Sequence, residues 1–428
     1  MSIEKKKDTV ESGIEICKCD QCGREIREDS STIIFALARG FHLCSDCLQE
    51  LHLNYRGEIE RANTAKLAGG DKLTPAAIVK YLDQYVIGQD HAKRVLAGAV
   101  YNHYTRVRYK QKYKTEIARG ERPDLDKGNI LLCGRTGVGK SMLLKTISRL
   151  LRVPFVIETS NSFSSSGFVG RDIDQIPGDL VAKATGKTME ERVKKAEVGI
   201  VYLDEFDKLR RSGESANIGR DVGGEAVQQA LLTLIEGAEV DIPAIQGQRI
   251  TPATQTIKFN TENVLFVCGG SFEGIDKIIN KRLRVGSSQL GFGAQLKDAE
   301  PDNIYQQVTT EDFRKFGMIP EVLGRLPIIC PLDEITRSDL IKILSEPRNS
   351  LVKQFKAMFR EEGVELEFSA RSLELIADKA LELKTGARGL RGIVEGILGD
   401  VLFDAPGGEF SKVIVSNNGE EITVRKEE

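Results

Sequence analysis

Gly134-Arg135-Thr136-Gly137-Val138-Gly139-Lys140-Ser141 decides the fold class of this chain. The apolar run Asn129-Ile130-Leu131-Leu132-Cys133 leads into it and reads as a buried strand, and residues 142–151 leave it as an amphipathic helix. Strand, glycine-rich turn and helix in that order make a phosphate-binding loop. The glycines let backbone N–H groups close around phosphate oxygens, and the helix start adds the positive end of its dipole. Lys140 supplies a point charge to the outer phosphates, and the Ser141 hydroxyl is placed to ligate Mg²⁺. Gly134, Arg135, Thr136, Gly137, Val138, Gly139, Lys140, Ser141 and Met142 are therefore the residues expected to hold a nucleoside triphosphate.

Four further apolar runs follow, at residues 153–157, 200–203, 264–268 and 326–330, separated by helical patterns such as 178–198 and 223–235. Short runs that are apolar throughout and alternate with helices predict an α/β fold, a parallel sheet covered on both faces. Ligands in such sheets collect at the carboxyl ends of the strands. The run Ile200-Val201-Tyr202-Leu203 ends there in two carboxylates. Asp204 is expected to hold Mg²⁺ through water, and Glu205 to polarise a water for attack on the γ-phosphate. Two arginines are candidates to complete the reaction. Arg325 would be presented to a neighbouring subunit's γ-phosphate, and Arg388 would reach nucleotide across an interdomain cleft.

Composition bounds the remaining classes. The chain has 428 residues, enough for about two to three domains. Sixty-one Lys and Arg against 63 Asp and Glu leave a net charge of −2, so no global charge signal favours nucleic acid. No apolar run approaches the length needed to span a bilayer. Residues 1–12 carry Lys5, Lys6 and Lys7 but no apolar h-region, so residues 1–14 read as a disordered tail rather than a signal peptide. Eight cysteines without a secretion signal point to reduced thiols and to metal in a cytoplasmic protein.

Cys19-x2-Cys22 and Cys44-x2-Cys47 form two knuckles, slightly farther apart than in the usual four-cysteine zinc site. A module this short cannot stabilise itself by apolar burial alone, so zinc is the expected staple. Cys17 and His42 compete as ligands, but neither fits the paired spacing. The zinc-binding module is assigned to residues 15–53 and a polar linker, with Gly69-Gly70, to residues 54–72. Thr74 and Pro75 then open a helix at the start of a large domain, residues 73–331. Past Leu332 a capped helix is expected from Thr336 to about Arg360, then a strand at 364–368, helices at 369–384 and 390–403, and a hairpin of 412–416 with 421–425. Residues 332–428 thus read as a small α-rich domain. Within the helix expected at 90–113, Tyr101, Tyr104, Tyr109 and Tyr113 alternate with Arg106, Arg108, Lys110, Lys112 and Lys114. That pattern suits a nucleic-acid surface, or a solvated helix face with its aromatics packed inward; the neutral remainder of the chain favours the second.

Over nearly its whole length the chain resembles the ClpX family of AAA+ unfoldases, which feed the ClpP peptidase. The resemblance rests on the cysteine module, Tyr85-Val86-Ile87-Gly88-Gln89, the phosphate loop and Leu203-Asp204-Glu205-Phe206-Asp207-Lys208. It continues through Arg220-Asp221-Val222-Gly223-Gly224-Glu225, Gly324-Arg325-Leu326-Pro327 and Gly386-Ala387-Arg388-Gly389-Leu390-Arg391. It implies ATP, Mg²⁺ and Zn²⁺ as cofactors and a homohexamer, with Arg325 as arginine finger and Arg388 as nucleotide sensor. Val86 and Ile87 would line the adenine pocket, and the zinc module would dimerise and bind adaptors or protein substrates. Gly167-Phe168-Val169-Gly170 matches the polypeptide-gripping pore loop, with Phe168 for the usual Tyr and Arg171 for an acidic residue. Leu290-Gly291-Phe292 matches the loop that docks ClpP, with Leu for the common Ile. Gln248-Arg249-Ile250-Thr251 lies where the family has an Arg-Lys-His run at the pore entrance, and only Arg249 survives. Two other readings stay open beside it: a nucleic-acid motor or loader of the same ATPase superfamily, and a non-hydrolytic ring scaffold.

Overall fold

Ile130–Cys133, Phe155–Thr159, Ile200–Asp204, Leu265–Gly270 and Ile328–Pro331 are the strands around which the larger part of the chain folds. The computed structural model describes residues 16–27, 34–36, 42–47, 73–160, 163, 173–211, 222–243, 256–287, 303–408, 410–419 and 421–427. These residues fall into two units, divided between Leu73 and Thr74.

In the first unit, β1 (Ile16–Lys18) pairs antiparallel with β2 (Glu25–Arg27), and β3 (Ile34–Ala36) with β4 (His42–Cys44). Residues 45–47 begin a helical turn directly after β4. Among the described residues of this unit, those buried are Cys19, Leu43, Cys44 and Cys47.

The second unit opens where Thr74 caps the helix Pro75–Leu82, its side chain accepting from Ala77 N–H. The helix Asp90–Lys112 follows. In sequence order the strands are β5 (Ile130–Cys133), β6 (Phe155–Thr159), β7 (Ile200–Asp204), the pair β8 (Glu239–Pro243) and β9 (Thr256–Asn260), then β10 (Leu265–Gly270) and β11 (Ile328–Pro331). The five-stranded sheet has order β11-β5-β10-β7-β6 and is parallel throughout. β5 and β10 are buried at every position, as central strands covered on both faces must be. Its two thiols Cys133 and Cys268, with Cys330 of β11, are buried and free, and burial pushes the Cys330 thiol up to about 12.

Beyond the sheet, β12 (Glu365–Phe368), β13 (Lys412–Asn418) and β14 (Glu421–Glu427) form a three-stranded sheet. It packs with the helices Arg337–Ser345, Leu351–Glu361, Ala370–Glu382 and Gly389–Asp404 around a second core that includes Leu340, Phe355, Phe359, Ile376 and Leu398. Among the described residues no helix is long and apolar enough to cross a membrane.

Two expectations need correction, and one pair of strands was not foreseen. The pattern at 178–198 is two helices, Gln175–Lys183 and Met189–Ala196. Arg192 donates to the carbonyls of Val181, Ala182 and Ala184, satisfying the end of the first helix, while Thr188 caps the second. The helix expected from Thr336 to Arg360 breaks after Ser345, because Pro347 cannot donate to a preceding turn and Ser350 starts a new helix as its cap. The antiparallel pair β8–β9 went unread; only Ile242 and Phe259 of it are fully buried, which leaves a weak apolar signal.

The basic, tyrosine-rich end of the helix Asp90–Lys112 is a solvated face only in part: Arg108, Lys112 and Lys114 are exposed and the four tyrosines are partly buried, but Arg106 and Lys110 are engaged internally. Arg106 is buried and donates to the carbonyls of Leu125 and Glu262, and Lys110 pairs with both Glu262 and Asp124. The hydroxyl of Tyr104 donates to Val198 O, and that of Tyr109 to Pro123 O. His103, buried beside them, contacts Asn263 O through Nε2 at 3.1 Å, while its Nδ1 finds no partner among the described residues. Burial, with Lys127 and Arg106 nearby, pushes its pKa down to about 3. The imidazole therefore stays neutral while the unfolded chain takes up a proton below its ordinary value of about 6.5. Stability should fall by about 1.4 kcal/mol per pH unit on acidification below pH 6.5 from this group alone. His103→Gln, which keeps a donor for Asn263, should flatten that part of the profile in pH-dependent thermal unfolding. An unchanged slope between pH 6.5 and 4.5 would contradict the assignment.

Candidate nucleotide site and four-cysteine cluster

The phosphate loop turns from the carboxyl end of β5 into the helix Lys140–Leu151, which starts two residues earlier than the pattern suggested. Gly137 (φ +88°) lies against the backbone of Thr385 and Gly386, and a Cβ there would stand 3.2 Å from Thr385 O. The loop and the turn Gly386–Arg388 therefore pack backbone to backbone, which brings Arg388 toward the loop. Lys140 is buried and donates to Gly134 O (2.6 Å) and Arg135 O (3.0 Å). Burial lowers its pKa, Asp204 and Asp207 oppose that shift, and Arg388 adds to it. Arg135 itself pairs with Glu334, and Met142 stands exposed on the first helical turn.

Across from the loop, β7 delivers Asp204. Its Oδ2 accepts from the Ser141 hydroxyl at 3.3 Å, so the two residues expected to share a cation face each other. Glu205 follows at φ +56°, a left-handed conformation that a non-glycine residue adopts at a cost of about 1–3 kcal/mol. That turn ends the strand and leaves the Glu205 side chain exposed at the strand's carboxyl end. A carboxylate in water beside a phosphate-binding loop can take a proton from an attacking water.

Two residues at this end, Asp207 and Gln89, had no role assigned to them from the sequence. Asp207 is buried and accepts from Ser271 N–H (3.2 Å) and the Ser271 hydroxyl (3.1 Å), locking the end of β10 to the turn after β7. The signal for it was Gly269-Gly270-Ser271 closing an apolar strand. Gln89, left-handed at φ +61°, donates to Val138 O (3.4 Å) and Asp333 O (2.8 Å) and accepts from Asp333 N–H. Buried Val86 and half-buried Ile87 thus run directly into a residue tied to the phosphate loop.

Arg325 is not brought to this site within one protomer. It ends the helix Pro320–Arg325, where Asn129, just before β5, donates to its carbonyl. The loop leaves β5 at the opposite end, about 13 Å along a four-residue strand. The Arg325 guanidinium is half-exposed and meets Glu236 at 2.8 Å. Phe168, Val169, Arg171, Arg249, Leu290, Gly291 and Phe292 lie outside the described residues.

In the first unit the four thiols of Cys19, Cys22, Cys44 and Cys47 lie within 4.8 Å of one another. Cys22 Sγ and Cys44 Sγ are 3.8 Å apart, close to the edge of about 3.8 Å that a tetrahedron with Zn–S bonds of about 2.3 Å requires. Backbone N–H groups of Cys22 and Cys44 pull the Cys19 thiol down to about 6, favouring the thiolate that metal needs. The donor set fits zinc. His42 is instead placed against Asp20, Nδ1 to Oδ2 3.8 Å, and the Cys17 side chain lies outside the described residues.

Residues 125–329 match the AAA domain (Cdc48 subfamily), and residues 335–413 match the C-terminal D2-small domain of ClpB protein. An ATP-dependent Clp protease ATP-binding subunit ClpX from Treponema denticola is 39% identical over 402 residues, covering 93% of this chain and 92% of the relative. The subunit of the same name from Bacteroides thetaiotaomicron is 42% identical over 395 residues, 91% of each chain. That from Borrelia duttonii is 40% identical over 402 residues, covering 94% and 90%.

Proposed function

The chain belongs to the ClpX family of AAA+ ATPases, and from that membership we propose that it is an ATP-driven unfoldase that passes protein substrates to a ClpP peptidase. It is an ATP hydrolase and not itself a peptidase. The observation that carries the reading is the convergence of the phosphate loop, Ser141 and Asp204 with Glu205 at one end of the parallel sheet.

In this reading Lys140 and the loop N–H groups hold the phosphates, with Val86 and Ile87 beside the base. Ser141 and Asp204 hold Mg²⁺, which supplies charge neutralisation between phosphate oxygens. Glu205 takes the proton of the attacking water, and Arg388 couples nucleotide to the small domain, residues 332–428. Arg325, at the far edge of the sheet, serves a neighbour in a homohexamer. Phe168 and Val169 grip polypeptide in the central pore, Arg249 lines its entrance, and Leu290, Gly291 and Phe292 dock ClpP. The zinc module recruits adaptors or substrates, and the ring works in the cytoplasm. The internal engagement of Arg106 and Lys110 supports a protein rather than a nucleic-acid substrate.

Glu205→Gln keeps shape and hydrogen bonding but removes the base. Purified Glu205→Gln rings should bind ATP with parent-like affinity while turnover falls about 10²–10⁴-fold, and degradation of a folded, tagged protein with ClpP should stop. Parent-like turnover in that variant would overturn the mechanism, and no ATP-dependent degradation by the parent would overturn the unfoldase reading.

A further inference from the structure

Asp204 is held from behind by a residue with no role so far. Tyr202 lies two residues earlier on β7, so its side chain leaves the same face of the sheet. It is fully buried, and its hydroxyl donates to Asp204 Oδ1 at 2.9 Å. The same oxygen accepts the Glu205 N–H at 2.9 Å. Two donors on Oδ1 fix the carboxylate's rotation, which turns Oδ2 toward the Ser141 hydroxyl.

The neighbouring strand makes room for this arrangement. β10 runs beside β7, and at Gly269 a Cβ would stand 2.5 Å from the Tyr202 hydroxyl and 2.6 Å from its ring. No side chain is compatible with the ring at that position. A core-filling role needs only the ring, and phenylalanine would supply it without placing a polar atom in the interior.

We infer that Tyr202 is a positioning residue, with Gly269 reserving its slot, that orients Asp204 so that Oδ2 and the Ser141 hydroxyl together receive the divalent cation accompanying nucleotide. The inference rests on the nucleotide reading of the site. Partners that orient a metal ligand from behind are typically worth about 10–100-fold in metal affinity.

The test is a Mg²⁺ titration of fluorescent ADP binding to full-length protein, with thermal unfolding as a control for fold. In Tyr202→Phe the half-saturating Mg²⁺ concentration should rise about tenfold, while ADP affinity in excess EDTA stays at the parent value. High Mg²⁺ should restore kcat toward the parent. Gly269→Ala, which keeps the hydroxyl but displaces the ring, should shift the titration in the same direction. An unchanged Mg²⁺ midpoint in folded Tyr202→Phe overturns the inference. Loss of fold in Tyr202→Phe also overturns it, because the hydroxyl would then serve core stability. Parent binding that ignores Mg²⁺ would instead sink the nucleotide-site reading itself.

Discussion

Stripping metal from the full-length protein is expected to unfold the cysteine module and leave the ATPase body intact. Among the described residues of that module the buried set is Cys19, Cys44, Cys47 and a single leucine, Leu43. Burying one leucine contributes about 1.5–3 kcal/mol, whereas structural zinc contributes about 10–16 kcal/mol in small peptides. The thiols without their ion therefore lack most of what holds the knuckles together. Treatment with a zinc-selective chelator, followed by Mg²⁺ replenishment, should abolish amide protection in residues 16–27 and 42–47. ATP turnover should persist, because the body forms its own core around the parallel sheet. Metal analysis should return one zinc per chain, lost in Cys44→Ser. A metal-free parent, or protection that survives chelation, would contradict the site, and zinc loss in Cys17→Ser with retention in Cys19→Ser would replace its ligand set.

The second large effect concerns Arg325. An arginine supplied in trans to a transferring phosphoryl group is worth about 10³–10⁵ in rate. Its only described ion pair, to Glu236, joins two half-exposed side chains and contributes at most about 1 kcal/mol. Arg325→Ala should therefore leave thermal stability nearly unchanged while ATP turnover falls by at least about 10³-fold. Position makes a sharper test. Arg325 lies at the amino edge of the sheet and the loop at the carboxyl edge, so the proposed role requires that the arginine act at another subunit's site. Mixing inactive Arg325→Ala with inactive Glu205→Gln should restore turnover, since some interfaces then pair an intact Glu205 with an intact Arg325. Full activity in Arg325→Ala, or no recovery on mixing, would remove Arg325 from the reaction.

Features encoded in contiguous residues were legible in the chain itself. The strand–loop–helix at 129–151, the acidic pair ending the run at 200–203, the paired cysteines and the parallel α/β class all follow from local spacing and periodicity. Even the helix breaks near Ala184 and Pro347 had local signals, in Thr188 and Ser350, that the longer apolar pattern masked. Strand order was a different matter. That β10 lies between β5 and β7 follows from long-range packing, and it is this neighbourhood that sets Gly269 against Tyr202 and Ser271 against Asp207. Gln89 meets Asp333 across 244 positions of sequence. The chain by itself determined which groups can bind phosphate, cation and zinc, because those chemistries need short runs of particular side chains. Only the tertiary structure decided how Asp204 is oriented and that Arg325 lies at the end of the sheet opposite the phosphate loop, because orientation and reach depend on contacts between strands far apart in sequence.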